Sequence, residues 1–157
     1  TFGGASSHDI QDGILDPAAY AFGTQDPDFK AKRKYLDSMN AMYRIKGVSW
    51  WERELPNEQE LAEGLENLKK CGNKVDYIIS HSPCISDMFL MGGRGLYQPD
   101  IISNYLEEVR ATTEYKKWYF GHMHLNKQIS MQDICLYEQI LLVPGKDYMY
   151  QFPEMDR

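Results

Sequence analysis

At 157 residues and a formal net charge of -6, the chain is long enough to bury a core of its own and too acidic to indicate a nucleic-acid partner. No apolar run approaches the roughly 18 to 20 residues that span a bilayer, which excludes a membrane helix. Three cysteines without tight spacing, Cys71, Cys84 and Cys135, fit the reduced thiols of a cytoplasmic protein better than a disulfide framework.

The opening Thr-Phe-Gly-Gly-Ala has neither an initiator methionine nor a basic leader, and reads as the middle of a longer sequence. Residues 2–9 read as the end of a strand entering a glycine-permissive turn. Residues 10–25, punctuated by Gly13, Asp16-Pro17 and Gly23, read as a surface loop. Asp26-Pro27 has the form of an N-cap with proline at the first helical position. Phe29, Leu36, Met39 and Tyr43 follow at helical spacing, so the pattern predicts a helix to about Tyr43. Its Lys30, Lys32, Arg33 and Lys34 read as a solvated face, with an anionic partner as the functional alternative. Residues 47–54 carry Trp50-Trp51 and predict a strand or extended turn, with one tryptophan buried and the other lining a cleft.

Asn57-Glu58-Gln59-Glu60 has capping-box spacing and opens a helix with Leu61, Leu65 and Leu68 on one stripe, which Gly72 ends as a left-handed cap. Residues 75–80, Val-Asp-Tyr-Ile-Ile-Ser, form a short apolar run that stops at His81 and predicts a buried strand. Residues 85–98 read as a loop or short helix whose Gly92-Gly93 and Gly95 would let it move over a site. A third amphipathic helix over 99–112 places Ile102, Tyr105, Leu106 and Val109 on one face. Residues 128–143 alternate and then turn apolar, predicting two closing strands. Helices interleaved with strands argue for a layered α/β sandwich rather than a bundle.

The stretch that carries chemistry is 118–125, Trp-Tyr-Phe-Gly-His-Met-His-Leu. Side chains at i and i+2 of an extended segment share a face, so His122 and His124 are expected to present imidazoles side by side at a strand end. Two such imidazoles can serve one ion, or one each of a pair about 3.5 to 4 Å apart. The competing reading leaves both as exposed loop residues. His81 repeats the design, so three of the chain's four histidines sit where a strand gives way to a loop, the usual place for ligand sites in parallel or mixed sheets. Cys84, three positions on, reads as a half-buried thiol near a turn, with soft metal ligation as its alternative.

These residues closely resemble the C-terminal half of a calcineurin-like metallophosphoesterase. The matching pieces are Gly3-Gly4-Ala5-x-Ser7-x-Asp9, Ser49-Trp50-Trp51-Glu52-x-Glu54-x-Pro56, Asp76-Tyr77-Ile78-Ile79-Ser80-His81-x-Pro83, Trp118-Tyr119-Phe120-Gly121-His122-Met123-His124 and Leu136-Tyr137-Glu138-Gln139-Ile140. The resemblance implies that 1–157 is a single domain, the C-terminal portion of a two-sheet αββα sandwich whose N-terminal half is absent. It implies a centre of two divalent ions, with His81 and His122 on one and His124 on the other. Imidazole and carboxylate donors suit manganese, iron or zinc. In the complete site the two ions lower the pKa of a bridging water, and the resulting hydroxide hydrolyses a phosphomonoester or diester.

The family's Asp-x-His, Gly-Asp-x-x-Asp and Gly-Asn-His motifs are not in this sequence, and His8-Asp9 does not replace them. The catalytic histidine and bridging aspartate therefore lie outside the chain. Alone it is expected to be inactive and to self-associate or pair with the missing half, although three imidazoles could hold one zinc with an open fourth position. The alternative function is a non-catalytic binding module that uses the tryptophan pair and the basic helix, its histidines structural.

Overall fold

The computed structural model describes residues 12–92 and 99–143 and has a mixed α/β architecture with two small sheets. The expected turn over 2–9 and the glycines at 93 and 95 lie outside the described residues.

The first sheet pairs β1 (Ile14–Leu15) in parallel with β2 (Arg44–Ile45), and α1 (Pro27–Ser38) lies between them in sequence. Leu15, Phe29 and Ile45 form its core, with Tyr20 and Tyr43 against them. The segment expected to be a plain loop thus holds a strand and two 3₁₀ turns, Pro17–Ala19 and Gly23–Gln25. A two-residue strand is too short for alternation to register.

α1 begins as predicted, with the Asp26 carboxylate accepting from the Asp28 amide at 2.9 Å. It stops short of Tyr43 because Asn40 takes a left-handed φ of 52°. The amides of Asn40 and Ala41 donate back to the Asp37 and Leu36 carbonyls at 3.1 and 3.0 Å, the paired bonds of a Schellman stop. α2 (Glu58–Lys70) ends the same way at Gly72, and both bonds of its Asn57/Glu60 capping box form at 2.9 Å. Between the two helices, 47–54 is a turn with one bridge from Lys46 to Trp50, followed by the 3₁₀ turn Glu52–Glu54. Trp50 is 7% exposed and Trp51 51%.

The second sheet has the order β3-β4-β6-β5, from β3 (Lys74–Ser80), β4 (Glu114–Phe120), β5 (Lys127–Gln128) and β6 (Asp133–Cys135). β3, β4 and β6 run parallel, and β5 returns antiparallel to β6. α3 (Ile85–Leu90) and α4 (Ile101–Thr112) connect β3 to β4. The predicted face of α4, Ile102, Tyr105, Leu106 and Val109, is buried against Cys84, Tyr115, Trp118, Phe120 and Cys135. Each of its larger apolar side chains contributes about 1.5 to 3 kcal/mol by burial. The α2 leucines are only partly buried, and Leu61 and Leu68 line a cavity of about 700 Å³ together with Val75, Ile78 and Val109.

The closing strands form but are shorter than expected. The Leu136 amide makes a 2.8 Å bond to the Phe120 carbonyl, β4 ends at that residue, and among the described residues no strand pairs with 137–143. Among the described residues no helix is long and apolar enough to cross a membrane.

Candidate metal centre

The parallel register of β3 and β4 aligns Ser80 with Phe120, so both chains leave the sheet at the same level. A chain of buried hydrogen bonds braces the exit. Trp118 Nε1 donates to Ser80 Oγ at 2.8 Å, and Ser80 Oγ donates to the Ser82 carbonyl at 2.7 Å. The Gly121 amide donates to the His81 carbonyl at 3.0 Å. Pro83 and Cys84 are fully buried just beyond, which seats the turn that exposes His81.

On the β4 side the backbone reverses more sharply. The Met123 amide reaches back to the Gly121 carbonyl at 2.7 Å and His122 has φ 65°, a γ-turn centred on the histidine. The turn brings His122 Nδ1 to 3.2 Å from His81 Nε2, with ring centroids 5.1 Å apart. His124 also has a positive φ, 51°. The expectation of two histidines on one face of an extended segment is therefore corrected, because neither residue is extended. Left-handed backbone costs a residue with a Cβ about 1 to 2 kcal/mol, and strain of this kind collects at functional sites.

The structure brings His81 and His122 together and places the His124 ring elsewhere. It stacks on Tyr137 at 4.7 Å and 23°, and Asn126 Oδ1 fixes Tyr137 by accepting from its amide at 2.8 Å. Among the described residues no three His, Cys, Asp or Glu side chains gather closely enough to hold a single ion.

A separation of 3.2 Å suits one imidazole donating to the other. It equally suits one edge of a coordination sphere, since two bonds of about 2.05 Å at an angle of about 100° end that far apart. The pair thus fits two ligands of one ion. Cys84 does not join it. Its thiol is fully buried and donates to Asp87 Oδ2 at 3.3 Å, and burial together with the Asp87 charge pushes its pKa up, away from the thiolate a metal needs.

Sequence reasoning missed a buried ion network beside this site. Arg110 Nη1 lies 3.2 Å from Asp87 Oδ1 and 3.0 Å from Asp133 Oδ2, and both carboxylates are fully buried. Tyr115 and Ser130 hydroxyls also donate to Asp133, at 2.9 and 2.6 Å. Burial and the neighbouring Asp133 raise the Asp87 pKa to about 6, against the pull of Arg110. Burial works to lower the Arg110 pKa, and the two carboxylates outweigh it and hold it up. The available signal was Arg110 four places after Leu106, continuing the apolar stripe of α4 with a charge that needed a buried partner.

Comparison of the chain with family models, curated proteins and solved structures returns no match.

Proposed function

We propose that this chain carries part of the metal site of a phosphoesterase, with His81 and His122 holding one divalent ion and His124 contributing to a second. The observation that supports the reading is the His81–His122 pair, two ring nitrogens 3.2 Å apart at the ends of adjacent parallel strands. The strained backbone at His122 and His124 adds to it, since nothing about a solvated loop requires two histidines at positive φ.

Manganese, iron or zinc, when bound, would supply Lewis-acid activation of water and a clamp on phosphoryl oxygens. The chain's own part is to present neutral imidazoles in fixed orientation. The γ-turn aims His122, the Trp118-Ser80-Ser82 hydrogen bonds hold the His81 turn, and Tyr137 orients His124. The bridging carboxylate and catalytic histidine that the family resemblance calls for would come from residues outside this sequence, within an αββα sandwich.

Titration with Co²⁺, followed by visible absorption, tests the reading. Wild type should bind with a nitrogen-ligand spectrum that His81→Ala and His122→Ala each abolish. The chain alone should not hydrolyse an aryl phosphate. Cobalt binding unchanged in both variants would overturn the assignment.

One observation favours the second reading, a binding module with structural histidines: Trp51 is half exposed, two residues before Arg53, which with Glu54 lines a groove that Trp51 itself does not line. That module predicts no cobalt binding at all.

A further inference from the structure

The two histidines of the pair reach each other from separate elements. His81 follows β3, and the chain runs through Ser82, Pro83 and Cys84 directly into α3. His122 follows β4, whose end is paired with β6 through Trp118↔Asp133 and Phe120↔Cys135. Asp87 lies on α3 and Asp133 on β6, and the Arg110 guanidinium reaches both from α4. It is therefore a single side chain joined to the element behind one histidine and to the strand beside the other.

We infer that Arg110 is a positioning residue for the histidine pair, fixing the distance between the His81 turn and the His122 strand end by bridging Asp87 and Asp133. A bridge of this kind acts in two ways. With the guanidinium in place, two buried carboxylates share one cation and α3 is held toward β6. Without it, the two buried carboxylates have no shared cation, one of them takes up a proton, and α3 loses its tie to β6. A second tie holds α3 to α4: Glu107 accepts from the Ser86 amide and hydroxyl at 2.8 and 2.6 Å. That tie does not extend to β6. The two can be separated experimentally, because loss of Glu107 loosens α3 while leaving the Asp87-Arg110-Asp133 span intact.

Both carboxylates are met by the single nitrogen Nη1, and lysine at position 110 keeps the charge but ends one bond short of that nitrogen. The decisive readout needs no metal. In the metal-free full chain, the nuclear Overhauser effect between the His81 and His122 ring protons should be present in wild type and in Glu107→Gln and lost in Arg110→Lys. The second readout, Zn²⁺ affinity measured by competition with a chromophoric chelator, depends on the function proposed above. It should fall about tenfold in Arg110→Lys, the low end of what groups behind a ligand contribute, and remain near wild type in Glu107→Gln.

If wild type binds no zinc, the metal reading fails and the ring-proton contact alone decides on Arg110. If Arg110→Lys does not fold, Asp87→Asn makes the same test, since it preserves side-chain shape while removing one of the two charges that Arg110 bridges. An unchanged ring contact in a folded Arg110→Lys or Asp87→Asn, with only a lowered melting temperature, would reduce the network to general stabilisation and overturn the inference.

Discussion

Trp118 and Ser80 sit on adjacent parallel strands, and the indole N–H donates to the buried serine hydroxyl at 2.8 Å across 38 positions of sequence. The serine in turn donates to the Ser82 carbonyl, so a core tryptophan holds the turn that presents His81. Trp118→Phe removes the donor and leaves a cavity, and should cost about 3 kcal/mol. Ser80→Ala leaves the indole N–H unsatisfied but opens little space, and should cost about 1 to 2 kcal/mol. Urea unfolding of both variants checks the ranking. Equal costs would mean that the hydrogen bond, and not the packing, dominates at Trp118.

The γ-turn at His122 makes a prediction about backbone alone. His122→Ala and His122→Gly both delete the imidazole, and they differ chiefly in tolerance of φ 65°. Glycine adopts that φ without steric cost, so His122→Gly should be more stable than His122→Ala by about 1 kcal/mol, with neither binding cobalt. Equal denaturant midpoints for the two would show that the turn relaxes once the ring is gone, and that the imidazole itself enforces the strain.

What was legible in the sequence was whatever depends on neighbours in sequence. The Asn57/Glu60 box, the Asp26 cap, the Gly72 stop and the apolar face of α4 each follow from a few residues and appear where the pattern puts them. The meeting of His81 and His122 was expected from two strand ends. Its geometry was not, because a γ-turn on a histidine has no composition signal and i, i+2 logic presumes an extended chain. The end of α1 was misplaced because Asn40, unlike glycine, does not announce a left-handed residue. The Asp87-Arg110-Asp133 network was marked in the sequence only by Arg110 on the apolar stripe of α4, and its partners were hidden for a different reason. Asp87 and Asp133 read singly as surface charges, and only the tertiary fold shows that both are buried against one partly exposed guanidinium.

The same network sets a pH dependence of stability. Asp87 has its pKa raised from the ordinary 3.8 to about 6, mainly by burial. A raised folded-state pKa means that the native state takes up the proton more readily than the unfolded chain. The resulting stabilisation is complete below about pH 4 and disappears as the pH rises through 6. In Asp87→Asn this dependence is gone, and the rest is shared with wild type, including Glu107, whose hydrogen bonds from Ser86 outweigh burial and lower its pKa. The stability of wild type relative to Asp87→Asn should therefore increase between pH 7 and pH 4, by up to about 3 kcal/mol. Guanidinium midpoints for both proteins across that range provide the measurement. A flat difference would show that Arg110 keeps Asp87 ionised in spite of its burial.

Association is the last property that the sheet dictates. β3 stands at the end of the strand order, with no strand on its outer side among the described residues. An edge of this kind offers unpaired backbone groups to another chain unless charges guard it. The charges here are paired across to β4, Lys74 with Glu114 at 2.6 Å and Asp76 with Lys116 at 2.5 Å, and all four side chains are more than half exposed. Apolar surface is exposed beside these charges, with Ile79 59% exposed and lining a cavity with Leu61, Val75 and Ile78. Covering about 400 Å² of such surface gains roughly 10 kcal/mol at 25 cal/mol per Å², against about 4 to 15 kcal/mol for lost rigid-body freedom. Self-association should therefore be weak and dependent on concentration. Sedimentation velocity should show the weight-average coefficient rising with protein concentration. Ile79→Lys, which places an unpaired charge on the edge, should hold the chain monomeric without lowering its melting temperature by more than a few degrees. A wild type that stays monomeric at every concentration and binds no apolar dye would mean that this edge is already covered within the molecule.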